Sequence, residues 1–299
     1  MTFKPRGIIP ALVTPFNQDE SLNEVAAREI IQYVIKRGVH GIFVVGSQGE
    51  FWALSKEEKK RMFEIAMEEA NNAIMVYAGT GAESTRETVE LTKIARDVGV
   101  DVASIITPYF VRPSAKELID HYRTIAAQVD LPIVLYNNPG RTGVRIDSQC
   151  VAELAEEYNN IVGIKDSGGD LSLTLEYISK PDRKISVLAG CDTLVYSTLV
   201  AGGSGAIAAT ANVVPELAVS IFDKVISGDF SRALEAQNRL APLRSAFDLG
   251  TFPSVVKEAV NMIGLSAGRC RRPISPLNAS SKESLRKILI GLGVVKTLQ

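Results

Sequence analysis

Apolar residues in this chain come in short unbroken runs. They are GIIPALVT (7–14), GIFVV (41–45), IMVYAG (74–79), VASIIT (102–107), PIVLY (132–136), IVGIK (161–165), ISVLAG (185–190) and GAIAA (205–209), eight in all. The runs are nearly continuous rather than alternating, the pattern of parallel strands covered on both faces. Between them, apolar positions recur with a helical period. Four of these stretches open on a serine followed three residues later by glutamate: Ser21 and Glu24, Ser55 and Glu58, Ser84 and Glu87, Ser114 and Glu117. That is capping-box spacing, in which the serine oxygen takes an orphan backbone N–H and the glutamate reaches back. Strand then helix, eight times at roughly 25–30 residues per unit, predicts an α/β fold of the (β/α)8 TIM-barrel type. An open doubly wound sheet would carry a glycine-rich turn after its first strand, and VTPFNQDES has none. Three further helical stretches follow, at 228–247, 253–264 and 281–293. The expected division is a barrel over 1–227 and a C-terminal helical extension over 228–299 packed on it, with no Gly/Ser/Pro linker between.

Composition narrows the class. With 299 residues, 46% of them hydrophobic, the chain can fill a large core, and a barrel uses this length as one unit. Its 33 basic and 34 acidic residues are well mixed, net charge −1, which gives no electrostatic case for nucleic acid or an anionic membrane surface. Cys150, Cys191 and Cys270 are odd in number and widely spaced. They suggest neither a disulfide framework nor a zinc site, and they fit a reducing cytosol. The N-terminal MTFKPRGIIPALVTPF places basic residues before a short apolar run. Pro10 and Pro15 interrupt that run, and no small-residue cleavage site follows. No apolar stretch reaches membrane-spanning length. The expectation is a soluble, cytoplasmic protein.

In a (β/α)8 barrel the active site lies at the C-terminal ends of the strands. Those ends carry Ser47 and Gln48 in GSQGE, Tyr109 and Phe110 in TPYF, Tyr136 and Arg141 in YNNPGRTG, Lys165 in IVGIKDSGG, and Ile207 in GAIAATAN. The set contains no carboxylate and histidine cluster of metal-ligand type. His40 and His121 stand apart and read as surface or satisfied helix-flanking residues. Neither a metal nor a cofactor is expected. A lysine ending an apolar strand either finishes the sheet in solvent or presents an amine to a pocket. In a pocket, apolar walls disfavour the charged form of an amine. A neutral amine attacks a ketone to form a Schiff base, and the protonated imine then acts as an electron sink. A tyrosine hydroxyl such as that of Tyr136 suits the proton transfers, and a serine hydroxyl can relay them. Backbone N–H groups in a Gly-X-X-Gly turn can hold a carboxylate, and an arginine can clamp a second one.

Other segments read more plainly. KEEKKR (56–61) is a solvated helix face. Trp52 reads as core or interface packing, and LVAGGSGAIAA (199–209) as a flexible turn. For Arg141, loop anchoring and substrate binding are equally open.

VTPF, GSQGE, AGTGA, TPYF, YNNPGRTG, GIKDSGGDL and GAIAATAN, in this order and spacing, resemble the dihydrodipicolinate synthase / N-acetylneuraminate lyase family of class I aldolases. The resemblance spans essentially the whole chain. It implies Lys165 as the Schiff-base lysine that binds pyruvate and Tyr136 as the acid/base beside it. It implies Ser47 as the relay hydroxyl, serine where the synthases commonly have threonine. Ser47 and Gln48 would offer backbone N–H groups to the pyruvate carboxylate, and Ile207 would line the pocket. Arg141 would bind the carboxylate of an aldehyde partner, as in the synthases; lyases acting on sialic acid usually lack it. Tyr109 and Phe110 would border the substrate. The implied partners are small molecules, pyruvate with an aldehyde or a keto sugar acid, and the implied assembly is a homotetramer.

Three positions depart from the synthase pattern. Phe110 stands where a second tyrosine usually relays protons into a neighbouring subunit. Gln48 brings a bulky amide to the pocket mouth. LGTFPSVVKEAV (249–260) replaces the usual NP-x-P-V-K segment and looks closer to sugar-acid aldolases and dehydratases. The leading expectation is condensation of pyruvate with aspartate semialdehyde to 4-hydroxy-tetrahydrodipicolinate. The alternatives are a 2-keto-3-deoxy sugar-acid aldolase or an N-acetylneuraminate lyase-like enzyme and, from another class, a non-catalytic barrel that binds a keto acid.

Overall fold

The computed structural model describes residues 4–296. The start of the N-terminal segment and the last three residues of the expected extension lie outside the described residues. Eight strands form: β1 (Gly7–Pro10), β2 (Gly41–Val44), β3 (Met75–Gly79), β4 (Val102–Ile106), β5 (Ile133–Asn137), β6 (Ile161–Asp166), β7 (Ser186–Ala189) and β8 (Gly205–Ala208). All pair in parallel with their sequence neighbours from β2 round to β8, and β8 pairs β1. A parallel bridge between Ala11 and Phe43, with Leu12 N–H donating to the Phe43 carbonyl at 2.8 Å, joins β1 to β2. The strand-and-helix alternation is thus a TIM barrel. The first run is shorter than its apolar pattern suggested. Pro10 has no N–H for the ladder, and Val13 N–H is taken instead by the Asn212 side chain at 3.1 Å.

Each strand supplies one apolar residue to a cluster inside the barrel: Ile9, Phe43, Tyr77, Val102, Val134, Val162, Leu188 and Ile207, with Ala11 beside them. The outward-facing residues, among them Ile42, Ile105, Leu135, Ile161 and Ile164, pack against the helices in a larger cluster. Burying one such side chain stabilises the fold by roughly 1.5–3 kcal/mol, so both faces of the sheet need apolar residues. That is the physical reason for runs without alternation.

Ser55 and Ser114 cap their helices with complete reciprocal boxes. Ser84 accepts from Glu87 N–H alone. The expectation at Ser21 is corrected: the helix Glu24–Ile35 is capped by Asn23, whose side chain accepts from Ala26 N–H at 3.0 Å. The Ser21 hydroxyl donates to Asp19 instead, and Glu24 pairs with Arg61 at 2.7 Å and does not reach back. The KEEKKR face is not wholly solvated either, because Lys59 is buried.

Past the barrel lie the helices Phe230–Ser245, Ser254–Met262 and Ala279–Gly291. Leu243, Val255, Val256, Leu285 and Leu289 join the apolar cluster of the barrel's outer layer. Gln237 ties the first of these helices to the end of β7, donating to the Asp192 carbonyl at 2.9 Å and accepting from Tyr196 N–H at 3.0 Å. This packing carries Arg244, Phe247 and Phe252 over the C-terminal ends of the strands, where they line the same cavity as Lys165.

Candidate active site

Lys165 faces the barrel interior because β6 carries a bulge. Ile133 pairs with Ile161, but Val134 pairs with Gly163, leaving Val162 as an extra residue. Strict alternation from the inward-facing Val162 would send Lys165 outward. The bulge shifts the phase, so Ile161 and Ile164 both pack outward while Val162 and Lys165 both point in. Gly163 makes the bulge possible: a Cβ there would stand 2.6 Å from the Ser186 carbonyl oxygen. The lysine does not sit in solvent. It is only 3% exposed, at the floor of a cavity of about 170 Å³.

Around Lys165 Nζ lie the Tyr136 ring, with its centre at 3.9 Å, and the Phe43 ring, with its centre at 5.0 Å. Tyr136 is directly paired with Lys165 across β5 and β6. Its hydroxyl is 3.5 Å from Ser47 Oγ and accepts from Asn138 Nδ2 at 2.9 Å. Burial alone would raise the phenol's pKa. The positive Lys165 beside it and hydrogen bonds with Ser47, Ser167 and Lys165 outweigh that, so it falls below its ordinary value of 10.0. The next residue after the lysine is structural. Asp166 accepts from Asn137, from Gly168 N–H and from Thr174, fixing the strand end and the loop behind it.

The opposite wall is the turn after β2. Gly49, Glu50 and Phe51 supply its internal N–H donors, to Gly46 and Ser47 carbonyls. The N–H groups of Ser47 and Gln48 are not used by the turn itself, and both residues line the cavity. The turn is bracketed by two non-glycine residues in the left-handed region, Val45 (φ 57) and Glu50 (φ 55). Such conformations cost of order 1–3 kcal/mol each and gather at sites where the backbone is held for a purpose. Gly79 accommodates the first: a Cβ there would lie 2.0 Å from the Val45 carbonyl oxygen. Gln48 is 6% exposed, and its side-chain Oε1 has no hydrogen-bond partner.

Ile207 lines the cavity from β8. Arg141 reaches it from the short helix Pro139–Thr142, its guanidinium 4.3 Å from the centre of the Phe252 ring. Tyr109 does not line this cavity. It stands in a neighbouring one of about 280 Å³ with Phe51, Trp52, Arg141 and Phe252, its ring edge-on to Phe51. Burial and the nearby Glu83 raise its pKa. Phe110 points away from this chain's own cavities. It is 96% exposed with φ 71 and lines neither cavity, because the left-handed backbone turns it away from the chain. Trp52 packs edge-on against Phe51, as expected of a packing residue, and also walls the neighbouring cavity.

Sequence reasoning missed Asn138, Ser167, Arg244 and Phe252. Asn138 and Ser167, near Tyr136 and Lys165 in the motifs themselves, carried a signal, as did Phe252 inside LGTFPSVVKEAV; Arg244 carried none. The histidines stay outside the site. His40 Nδ1 accepts from Ile8 N–H at 3.1 Å. His121 is buried within a helix rather than flanking it, bonded to Thr85 at 2.8 Å with Nε2 unpartnered, and burial brings its pKa down to about 4. Among the described residues no group of three or more His, Cys, Asp or Glu could hold a metal ion, and no helix is long and apolar enough to cross a membrane.

Comparison with known proteins gives concordant results. The model of the dihydrodipicolinate synthetase family matches residues 4–291. The 4-hydroxy-tetrahydrodipicolinate synthase of Methanopyrus kandleri is 40% identical over 296 residues, 99% of each chain. The crystal structure of the chloride-inhibited dihydrodipicolinate synthase from Acinetobacter baumannii complexed with pyruvate superposes with a TM-score of 0.94 at 36% identity, covering 97% of this chain and 99% of that one. YagE, an Escherichia coli K12 prophage protein of the dihydrodipicolinic acid synthase family also solved with pyruvate, gives 0.93 at 33% identity, with the same coverage.

Proposed function

The chain belongs to the dihydrodipicolinate synthetase family, and on that premise we propose that it is a lyase that binds pyruvate as a Schiff base on Lys165 and joins it to an aldehyde, most simply aspartate semialdehyde, giving 4-hydroxy-tetrahydrodipicolinate. One observation carries the reading: a buried lysine amine lies beside a tyrosine phenol, both lining one cavity. Lys165 Nζ, unprotonated, adds to the keto carbon. The former ketone oxygen takes two protons, one of them given up by the nitrogen, and leaves as water, and an iminium remains. Loss of a methyl proton gives the enamine, whose carbon attacks the aldehyde. The amino group of the aspartate semialdehyde unit then adds to the new iminium carbon and closes the ring, the lysine nitrogen takes up a proton and leaves as the free amine, and the ring C=N remains. Tyr136, with its lowered pKa, accepts and returns these protons, and Ser47 is the hydroxyl within relay distance. Ser47 and Gln48 N–H groups receive the pyruvate carboxylate, Ile207 walls the methyl group, and Arg141 takes the carboxylate of the aldehyde. Tyr109 borders the acceptor from the neighbouring cavity.

Incubation with pyruvate followed by borohydride tests this. A pyruvyl adduct on Lys165, together with product formation from pyruvate and aspartate semialdehyde, is the expected result. Absence of the adduct refutes it.

Gln48 favours a second reading for the acceptor. Its unpartnered Oε1 lies among the cavity walls and would accept from a sugar hydroxyl, as cleavage of a 2-keto-3-deoxy sugar acid requires. Phe252, from the departing LGTFPSVVKEAV segment, shares that wall. The same borohydride trap, run with such an acid, separates the two.

The barrel (1–227) and the helical extension (228–299) act together in this reading. A homotetramer is part of it, supported by Phe110 and Val111, adjacent and 96% and 63% exposed; light scattering measures it. Three free cysteines favour the cytoplasm.

A further inference from the structure

Two motif residues have no part in the chemistry above. Glu50 ends GSQGE, and Lys257 lies in PSVVK, 207 positions later. The fold brings them together. Lys257 Nζ donates to Glu50 Oε1 at 2.6 Å, with side-chain exposures of 1% and 0%. The remaining valences are spent on the same junction. Lys257 Nζ donates to the Arg269 carbonyl at 2.9 Å and lies 4.0 Å from the centre of the Phe16 ring. Glu50 Oε2 accepts from Arg271 N–H at 2.9 Å.

A fully buried ion pair is a poor device for stability alone, because desolvating both charges offsets much of their attraction. Its yield here is geometry. Glu50 closes the turn whose Ser47 and Gln48 N–H groups face the cavity, its own N–H donating to the Ser47 carbonyl at 3.2 Å. Its backbone is left-handed, as is that of Val45 at the other end of the turn. A turn bounded by two strained residues relaxes unless something outside it holds it. One external tie is the Thr14 hydroxyl, which donates to the Gly49 carbonyl at 2.7 Å; the charged one is the carboxylate of Glu50, and the lysine that holds it comes from the helix Ser254–Met262.

We propose that Glu50 and Lys257 are a positioning pair: they hold the Ser47–Gln48 turn in the shape that receives the keto-acid carboxylate, which makes the C-terminal extension part of the pyruvate site. The proposal rests on the carboxylate role given above to Ser47 and Gln48. Glu50→Gln keeps the side-chain shape and the acceptor for Arg271 while removing the charge. The double variant Glu50→Gln/Lys257→Met leaves no orphan buried charge and guards against simple unfolding.

The readouts are the pyruvate concentration that half-saturates borohydride trapping, the KM of each substrate, kcat, and circular dichroism. In both variants the half-saturating pyruvate concentration rises by about tenfold or more while the aldehyde KM stays within about twofold and the spectrum is retained. A folded variant with unchanged pyruvate saturation overturns the proposal. So does a loss of pyruvate affinity that appears only in step with loss of fold, which leaves the pair a purely structural one. The wild-type trap separates the two levels. Without an adduct the keto-acid reading fails and takes the pair with it; with one, the variants report on the pair alone.

Discussion

Lys165 and Tyr136 are register partners on adjacent strands, and the lysine Nζ lies 3.9 Å from the centre of the tyrosine ring. Neighbouring parallel strands place paired residues side by side on the same face. One residue therefore supplies the nucleophile and its partner the acid/base with no loop between them to be ordered. A site built on strands is held more tightly than one built on loops.

Lys165→Ala removes the amine from the cavity floor. We expect no borohydride-trapped adduct and no turnover, with the circular dichroism spectrum retained. The side chain is buried but opens onto a cavity, so its loss leaves no new apolar void in the packed layer. Collapse of the spectrum would show that Lys165 supports the fold rather than the chemistry.

Tyr136→Phe keeps the ring beside Lys165 and removes the hydroxyl. A fall in kcat of about 10²–10⁴-fold is expected, the usual range for one general acid/base. The wild-type kcat/KM profile should contain an alkaline feature below pH 10, since the folded phenol loses its proton earlier than an ordinary one. That feature disappears in Tyr136→Phe and moves up in Asn138→Ala, which deletes a donor to the phenolate. The sign for stability is the same as for a depressed carboxyl group. The contribution is fully present above the unfolded value of 10.0 and is lost as pH falls through the lowered folded one. An identical pH profile in Tyr136→Phe would exclude the residue as the acid/base.

The Arg141 guanidinium lies 4.3 Å from the centre of the Phe252 ring, and Arg141 lines the cavity. Loss of a charge-assisted bond is worth roughly 1.5–3 kcal/mol. Arg141→Ala should therefore raise the aldehyde KM about tenfold to a hundredfold and leave pyruvate trapping unchanged. Arg141→Lys should recover little of this, because a lysine neither stacks nor binds bidentately. Equal losses for both substrates would refute an acceptor role.

His121 offers a test of stability independent of the site. Burial holds it neutral down to about pH 4 in the folded state, while the unfolded chain takes up the proton near 6.5. Between those values the unfolded state binds more protons, so stability is lost as pH falls from 6.5 toward 4 and levels off below. The loss is on the order of 3 kcal/mol. Thermal melts across pH 4–7 should show a steeper decline in wild type than in His121→Gln. Parallel curves would mean that the imidazole titrates normally.

Gly163→Ala should disable the enzyme without touching a reacting group. The added methyl meets the Ser186 backbone at 2.6 Å, so the bulge that turns Lys165 inward has to shift. Reduced pyruvate trapping with the spectrum retained is the expected result. Normal trapping at normal pyruvate concentrations would show that the strand absorbs the methyl elsewhere.

The sequence by itself determined the elements and the chemical cast. Unbroken apolar runs require a sheet covered on both faces. Ser55 and Ser114 announce their helix starts through contacts three residues away. Lys165, Tyr136, Ser47 and Arg141 declare themselves at strand ends, because those are local features of composition and spacing. Only the tertiary structure decided which way the side chains face and which distant segments meet. Alternation along β6 would have put Lys165 outside; a bulge, set by close packing of Gly163 on β7, puts it inside. Phe110 sits beside Tyr109 in sequence, yet a left-handed backbone turns it away from both cavities. Phe252, Arg244 and Lys257 lie far beyond the last strand. Phe252 and Arg244 reach the cavity, and Lys257 reaches Glu50, because the apolar faces of the C-terminal helices are buried against the barrel, which fixes where their polar and aromatic residues end. Such placements depend on contacts between residues far apart in the chain, which no local pattern encodes.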